Sequence, residues 1–398
     1  MIQALKGVTV LDIAHVMAGP FCSHLLRLMG ARVIKVEKPG EGDVMREYNQ
    51  DPVFAGMAPP FIAFNAGKES ITIDMKAPEG RKIIEQLAGT ADVVVENYRP
   101  GVLTRLGLGY EQLSKLNPRL VYCSVTGFGQ SGPMRDQPAY DHIVQGVCGV
   151  MSLTGAPGSG PTKVGFPVVD TFTGYAAAFA AVTALLQREQ TGKGEYVDVA
   201  MLDCSLVLMA SMVAPYLTTG IAPEKVGNRG FNGSPTSDTF PTKDQPITLG
   251  ANTQKQWESM CKVIGREDLV TDLRFPNPQS RVKNEVALRT ELEPSMRKRS
   301  ASEWEKSLND VGVPAGAVRT IPEIVAEEHL KTRGVILPVA APDGGPKGYT
   351  LSTGFRFADD SSQPVPAAPR LGQHTDAILR DLGYDDASVA RLRTQKIV

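Results

Sequence analysis

Asp170 is the single carboxylate in GFPVVDTFTGYAAAFAAV, residues 165–182, set between an apolar PVV and a run of alanines and aromatics. Burying an unpartnered carboxylate is costly, so such an Asp needs hydrogen-bond donors or a chemical task. A plainer reading is a helix N-cap, because Asp170 or Thr171 precedes a long Ala-rich run. Local sequence leaves both readings open.

Other motifs carry less. GFGQSG, residues 127–132, matches G-x-G-x-x-G after a strand-like run, but Pro133 and Pro138 follow. A dinucleotide site needs a helix N-terminus there to meet the pyrophosphate, so these glycines fit a tight loop or a close approach better. Ser131 in GQSGP lacks the final glycine of the hydrolase G-x-S-x-G pattern. The five histidines and five cysteines are scattered, with no C-x-x-C pair and no two histidines a helical turn apart. That spacing argues against a metal site or a disulfide framework.

The elements that must position Asp170 are read from the rest of the 398 residues. Strand-like and helix-like segments alternate over the first ~200 residues, as in a parallel sheet covered by helices. GVTVLDIA, ARVIKVEKP, SITIDMK, DVVVENY and RLVYCSVTGFG read as strands, and PFCSHLLRLMG and APEGRKIIEQLAGT as helices. A strand ending at Ala14, a Gly-Pro turn and a helix start would expose backbone N–H groups to an anion. Gly30 and Gly89 stand where left-handed helix C-caps are expected. Further helices are expected over 175–188 and 203–217, and a Gly/Pro/Ser-rich loop or linker over 227–245. SASEWEKSLNDVG opens with a capping-box pattern, Ser300 to Glu303.

Composition narrows the partners. With 42 basic and 43 acidic residues the net charge is −1, and no charge block marks a nucleic-acid or membrane-surface partner. The N-terminal MIQALKGVTVLDIAHV lacks signal-peptide features, and the most apolar runs fall short of the ~20 residues of a bilayer span. The expectation is a cytoplasmic protein.

Several ordered motifs together define a resemblance. HVMAGPFCSHLLRLMGARVIKVEKPGEGD, NAGKESITIDMKAPEGR, DVVVENYRPGVLTRLGLGYEQL, AYDHIVQGVCGVM, TGKGEYVDVAMLD and APRLGQHTDAILRDLGY resemble the class III CoA-transferases along essentially the whole chain. That family includes formyl-CoA and succinyl-CoA transferases and the α-methylacyl-CoA racemases. Asp170 falls at its catalytic aspartate, and Tyr140 at a second catalytic position. The resemblance implies that Asp170 attacks an acyl-CoA thioester and then carries CoA as an aspartyl thioester to a short carboxylic or dicarboxylic acid. Val16, Met17, Lys38, Ile73, Lys76, Asn97, Tyr98 and Arg105 are the implied CoA-binding positions, with the three cations directed to the nucleotide end. Each cation could equally be a solvated surface residue.

The implied fold is α/β: a large Rossmann-like parallel-sheet domain built from both chain ends (1–224 and 331–398), plus a smaller α/β domain (225–330). Subunits of the family interlock as dimers, so a homodimer is expected. CoA is a cosubstrate, and no metal or other cofactor is implied. Two departures stand out. NRGFNGSPTSDTF replaces the polyglycine lid of formyl-CoA transferase, and Pro138 replaces a lysine near CoA. The alternative activity is α-methylacyl-CoA racemase or epimerase, but Tyr140 holds the place of a racemase's histidine. His142, two residues on, would point some 200° away on a helix and reads as peripheral.

Overall fold

A computed structural model describes residues 3–48, 52–54, 56–230, 233–341, 347–358 and 365–398. Six short strands, β1 (Thr9–Asp12), β2 (Arg32–Glu37), β3 (Glu69–Thr72), β4 (Val93–Glu96), β5 (Val121–Thr126) and β6 (Tyr196–Ala200), form one sheet. Every pairing in it is parallel, in the order β3-β2-β1-β4-β5-β6. The strands read as unbroken apolar runs because both faces are covered. Val10, Val93, Val95 and Val121 point to one core, while Leu11, Val94 and Tyr122 point to the other.

The first core is closed by the helices Ala18–Leu28 and Val168–Thr191. The second is closed by the helix Pro78–Thr90 and by the C-terminal helices Thr375–Asp381 and Asp386–Thr394. The chain end is tied in by backbone bonds from His374 N to Ser70 O (2.9 Å) and from Asp74 N to Ile397 O (2.7 Å). Both ends of the sequence therefore build the same unit, Met1–Val150, Lys163–Ile221 and Glu328–Val398.

The second unit holds Met151–Thr162 and Ala222–Glu327. Its strands β7 (Ser237–Phe240), β8 (Ile247–Gly250) and β9 (Ala315–Ala317) make an antiparallel sheet over a core that includes Trp257, Phe275 and Trp304. The Ser300–Glu303 capping box forms as the pattern requires. Residues 151–162 join this unit rather than the large one. Their ends meet through Thr162 N and Met151 O, and Lys225 Nζ binds Ser159 O and Gly160 O. An antiparallel pair, β10 (Ile336–Val339) and β11 (Gly348–Leu351), belongs to the large unit.

Several local expectations are corrected. Gly30 is left-handed after its helix, but Gly89 lies inside the helix Pro78–Thr90, which ends at extended Ala91. Gly19 and Pro20 belong to the first turn of the helix Ala18–Leu28, not to a preceding turn. The supposed loop 227–245 contains β7, and Phe231 and Asn232 lie outside the described residues. The long helix starts at Val168 rather than 175, and the next helical stretch is broken into Met201–Leu208 and Ala210–Thr219.

By length and composition Val168–Thr191 could cross a bilayer. Here one face is core: Gly174, Ala177, Ala178, Ala181 and Leu185 are buried. The small residues let it lie close against Ala18–Leu28. A Cβ added at Gly174 would stand 2.6 Å from Ala18 O and 3.0 Å from the Phe21 ring. Replacing Gly174 with Val should therefore push the two helices apart and cost about 1–3 kcal/mol, as overpacking does. Urea unfolding of the variant should show a lower midpoint.

Candidate active site

Strand order reverses between β1 and β4, and an open parallel sheet binds ligands at the carboxyl ends of its strands at such a point. The loops leaving these two strands are locked together. Asn97 Oδ1 accepts from His15 N (2.9 Å), and Asn97 Nδ2 donates to His15 O (2.7 Å). The His15 ring lies against Tyr98 with centroids 5.0 Å apart.

The next residue is strained. Val16 has φ 64°, a left-handed conformation that a β-branched side chain rarely adopts. Such strain costs about 1–3 kcal/mol and persists only where surroundings impose it. Here they do: both Asp43 oxygens accept from Val16 N at 3.1 Å. Asp43 in turn is held by Met45 N (3.0 Å) and by a buried ion pair with Lys35 (3.0 Å), whose Nζ also donates to Ala14 O (2.9 Å). Burial works to raise the Asp43 carboxyl, but Lys35 and the N–H donors outweigh it and hold it below the usual range.

Two more buried pairs flank this one. Glu37 receives two guanidinium bonds from Arg46, at 2.8 and 2.7 Å, plus the Ser70 hydroxyl and Asp43 N. Lys68 donates at 2.9 Å to each of Asp12, Pro20 O, Ser23 and Asn65. Burial brings Lys68 down to about 8 despite Asp12 beside it.

On the other side of the site stands Asp170. It is the third residue of the helix Val168–Thr191, so neither it nor Thr171 is the N-cap. That place is taken by Pro167, which has no capping side chain. The cap comes from elsewhere, because Asp141 Oδ2 accepts from Val169 N (2.9 Å) and Asp170 N (3.1 Å). Burial first, then the Asp141 charge, push the half-buried Asp170 carboxyl up to about 7.

Asp170 opens into a cavity of about 440 Å³ whose walls include His15, Val16, Met17, Asn97, Tyr98 and Tyr140. Six of the ten residues singled out in the sequence thus meet here: Val16, Met17, Asn97, Tyr98, Tyr140 and Asp170. The other four stand elsewhere. Lys38 lines a separate cavity beside Asp74 and Lys396 and pairs with Glu41 at 2.5 Å. Lys76 and Arg105 are exposed, and Ile73 is wholly in the core.

Tyr140 precedes the helix Asp141–Val147 rather than lying on it, and its ring is stacked on His142, 6.2 Å apart and 5° from parallel. The helical-wheel expectation of opposed side chains therefore fails. His142 is exposed and does not line the cavity. Sequence reading missed Asp43, Asp141, Arg99 and Arg135. The last two also line the cavity, and Arg135 Nε is buried without a partner among the described residues.

The chain as a whole has known counterparts. The chain belongs to CoA-transferase family III, whose profile matches residues 5–375. It is 36% identical over 392 residues to the acetyl-CoA:oxalate CoA-transferase of Acetobacter aceti, with 96% of each chain covered. It is 33% identical to the human succinyl-CoA:glutarate CoA-transferase, over 100% of this chain and 90% of that protein. A crystal structure of a CAIB/BAIF family protein from Brucella suis superposes with a TM-score of 0.86 at 35% identity, covering 96% of this chain and all of that one. The protein is an enzyme of this class.

The Asp43–Lys35 pair is what the strained loop rests on. Asp43→Asn leaves the buried Lys35 charge without its partner, which should cost about 3–5 kcal/mol. A drop in the urea midpoint of that size, against little change for a Lys38→Ala control, is the expected result.

Proposed function

We propose that the protein moves CoA from an acyl-CoA, succinyl-CoA first among donors, to a short carboxylic or dicarboxylic acid through an aspartyl-CoA thioester on Asp170. The observation that carries this reading is a half-buried carboxylate in an apolar first helical turn, its proton affinity raised by burial and by Asp141, facing a cavity made by the β1 and β4 loops. Raised basicity makes a carboxylate a better nucleophile once it is ionised. The Asp170 oxygen attacks the thioester carbonyl, the C–S bond breaks, and CoA thiolate leaves a mixed anhydride. The thiolate attacks the Asp170 carbonyl carbon, releasing the donor acid and forming the aspartyl thioester. An incoming carboxylate repeats both steps in reverse and restores Asp170. No redox change or net proton transfer occurs, so the chemistry calls for no metal or cofactor beyond CoA itself.

Binding follows the same map. Val16, Met17, Asn97 and Tyr98 are assigned to CoA along the cavity wall. Arg99 and Arg135 bring positive charge into the cavity that Pro138 cannot supply. Lys38, Lys76 and Arg105 stay assigned to the nucleotide end outside it, and Ile73 can act only by shaping the strand beneath. Relatives named for oxalate, glutarate and D-citramalate all use dicarboxylic acids, which favours that class of acceptor.

A racemase needs a second acid–base group across the α-carbon. Tyr140 occupies that place, and no observation favours the racemase reading over the transferase one.

A cytosolic homodimer completes the proposal. All five cysteines are free, as a reducing compartment requires. The helices of the large unit leave big apolar side chains in solvent: Phe179 (73% exposed), Leu186 (65%), Val207 (67%) and Leu217 (75%). A second copy of the chain is the cover we assign to them, with neither nucleic acid nor membrane as partner. Light scattering should give twice the chain mass, and a folded, active monomer on dilution would contradict the assignment.

The activity is tested with succinyl-CoA and a panel of acids including glutarate, malate, itaconate, mesaconate, oxalate and formate. New acyl-CoAs should appear with ping-pong kinetics. Asp170→Asn and Asp170→Ala should lower exchange by about three orders of magnitude or more while CoA still binds. Deuterium entering the α-position of a 2-methylacyl-CoA in D₂O, with no exchange for any acid, would reverse the reading.

A further inference from the structure

We propose that Asp141 is the positioning residue of the nucleophile, capping the helix of Asp170 from a separate element and fixing where the attacking carboxylate stands. The inference rests on the reading of Asp170 as nucleophile. A helix leaves its first N–H groups without partners, and a residue just ahead of it commonly answers them. Pro167 cannot. Instead Asp141, some 29 residues upstream, takes the N–H groups of Val169 and of Asp170 itself.

Asp141 is itself held. Its other oxygen accepts from Gln145 Nε2 at 2.5 Å, and Gln145 is wholly buried. Gln145 Oε1 accepts from Val164 N (2.9 Å), and its Nε2 also reaches Phe166 O (3.4 Å). One clamp thus fixes the segment entering the helix and its first turn. Because Asp141 follows Tyr140 directly, the clamp also ties together the two residues assigned to catalysis.

The position has an electrostatic consequence. An acid in the first turn ordinarily gains from the helix dipole and the free N–H groups. Here a second carboxylate has taken those donors and adds its own charge. Tyr48, Tyr98, Tyr140, His15, Arg99 and Arg135 are the other ionisable groups on the site side. The elements packed on the helix bring Cys22, His24 and Arg27 from Ala18–Leu28, His142 from Asp141–Val147, Asp203 and Cys204 from Met201–Leu208, Tyr122 and Cys123 from β5 and Tyr196 and Asp198 from β6. Among all of these, Asp141 holds the backbone N–H of Asp170.

The test uses Asp141→Asn, which keeps an acceptor oxygen and removes the charge, and Asp141→Ala, which removes the cap. Two readouts are followed: the pH profile of kcat/KM, and the ¹³C carboxyl titration of Asp170 assigned from an Asp170→Asn spectrum. Asp141→Asn should move both titrations down by about one pH unit. Asp141→Ala should lower kcat by about 10- to 100-fold through misplacement of the nucleophile, with KM for acyl-CoA little changed. A cap that is only structural would lower the melting temperature and move neither titration, and that result overturns the proposal. If Asp141→Ala fails to fold, Asp141→Asn decides alone. If the wild-type protein transfers no CoA, the functional reading falls, and the carboxyl titration still decides the role of Asp141.

Discussion

Two carboxylates meet at one helix N-terminus, and the chemistry assigned to this protein depends on how they divide it. Asp141 takes the N–H groups, so Asp170 is left with burial and a like charge for its environment. Had Asp170 capped its own helix, the same donors would have stabilised its anion and weakened it as a nucleophile. Separating the cap from the reactive group lets one helix end supply rigidity to one residue and basicity to the other.

The opposite wall follows a related logic. Val16 is held in a left-handed conformation by a carboxylate that is fixed by a fully buried lysine. Buried pairs of this kind contribute little net stability, yet breaking one is expensive. Their value here is geometric: Lys35, Asp43, Glu37, Arg46, Asp12 and Lys68 form a polar floor beneath the loops from β1, with each charged group partnered. The fold supplies the place, at the reversal of strand order, and the floor supplies the shape.

What the sequence revealed is the part governed by local rules. The strands were legible because a sheet covered on both faces demands unbroken apolar runs. The capping box at Ser300 was legible because both partners lie within four residues. Asp170 drew attention because its apolar context conflicts with its charge. Asp141 and Asp43 escaped because their partners lie 29 and 27 residues away, and no periodicity carries such information. Gly89 misled because helix interiors also tolerate glycine. Lys38 and Arg135 show the same limit for cations: both are ordinary in sequence, and only the fold puts Arg135, not Lys38, in the cavity with Asp170.

The proposed reaction passes CoA through a covalent bond to Asp170. The most direct measurement is to incubate the wild-type protein with succinyl-CoA and hydroxylamine, digest it, and weigh the peptide carrying residue 170. Hydroxylamine cleaves an acyl thioester or anhydride and leaves a hydroxamate on the acyl carbon. A hydroxamate at Asp170, formed only when acyl-CoA is present, is the expected result. An unmodified Asp170 in a protein that exchanges CoA under the same conditions would contradict it.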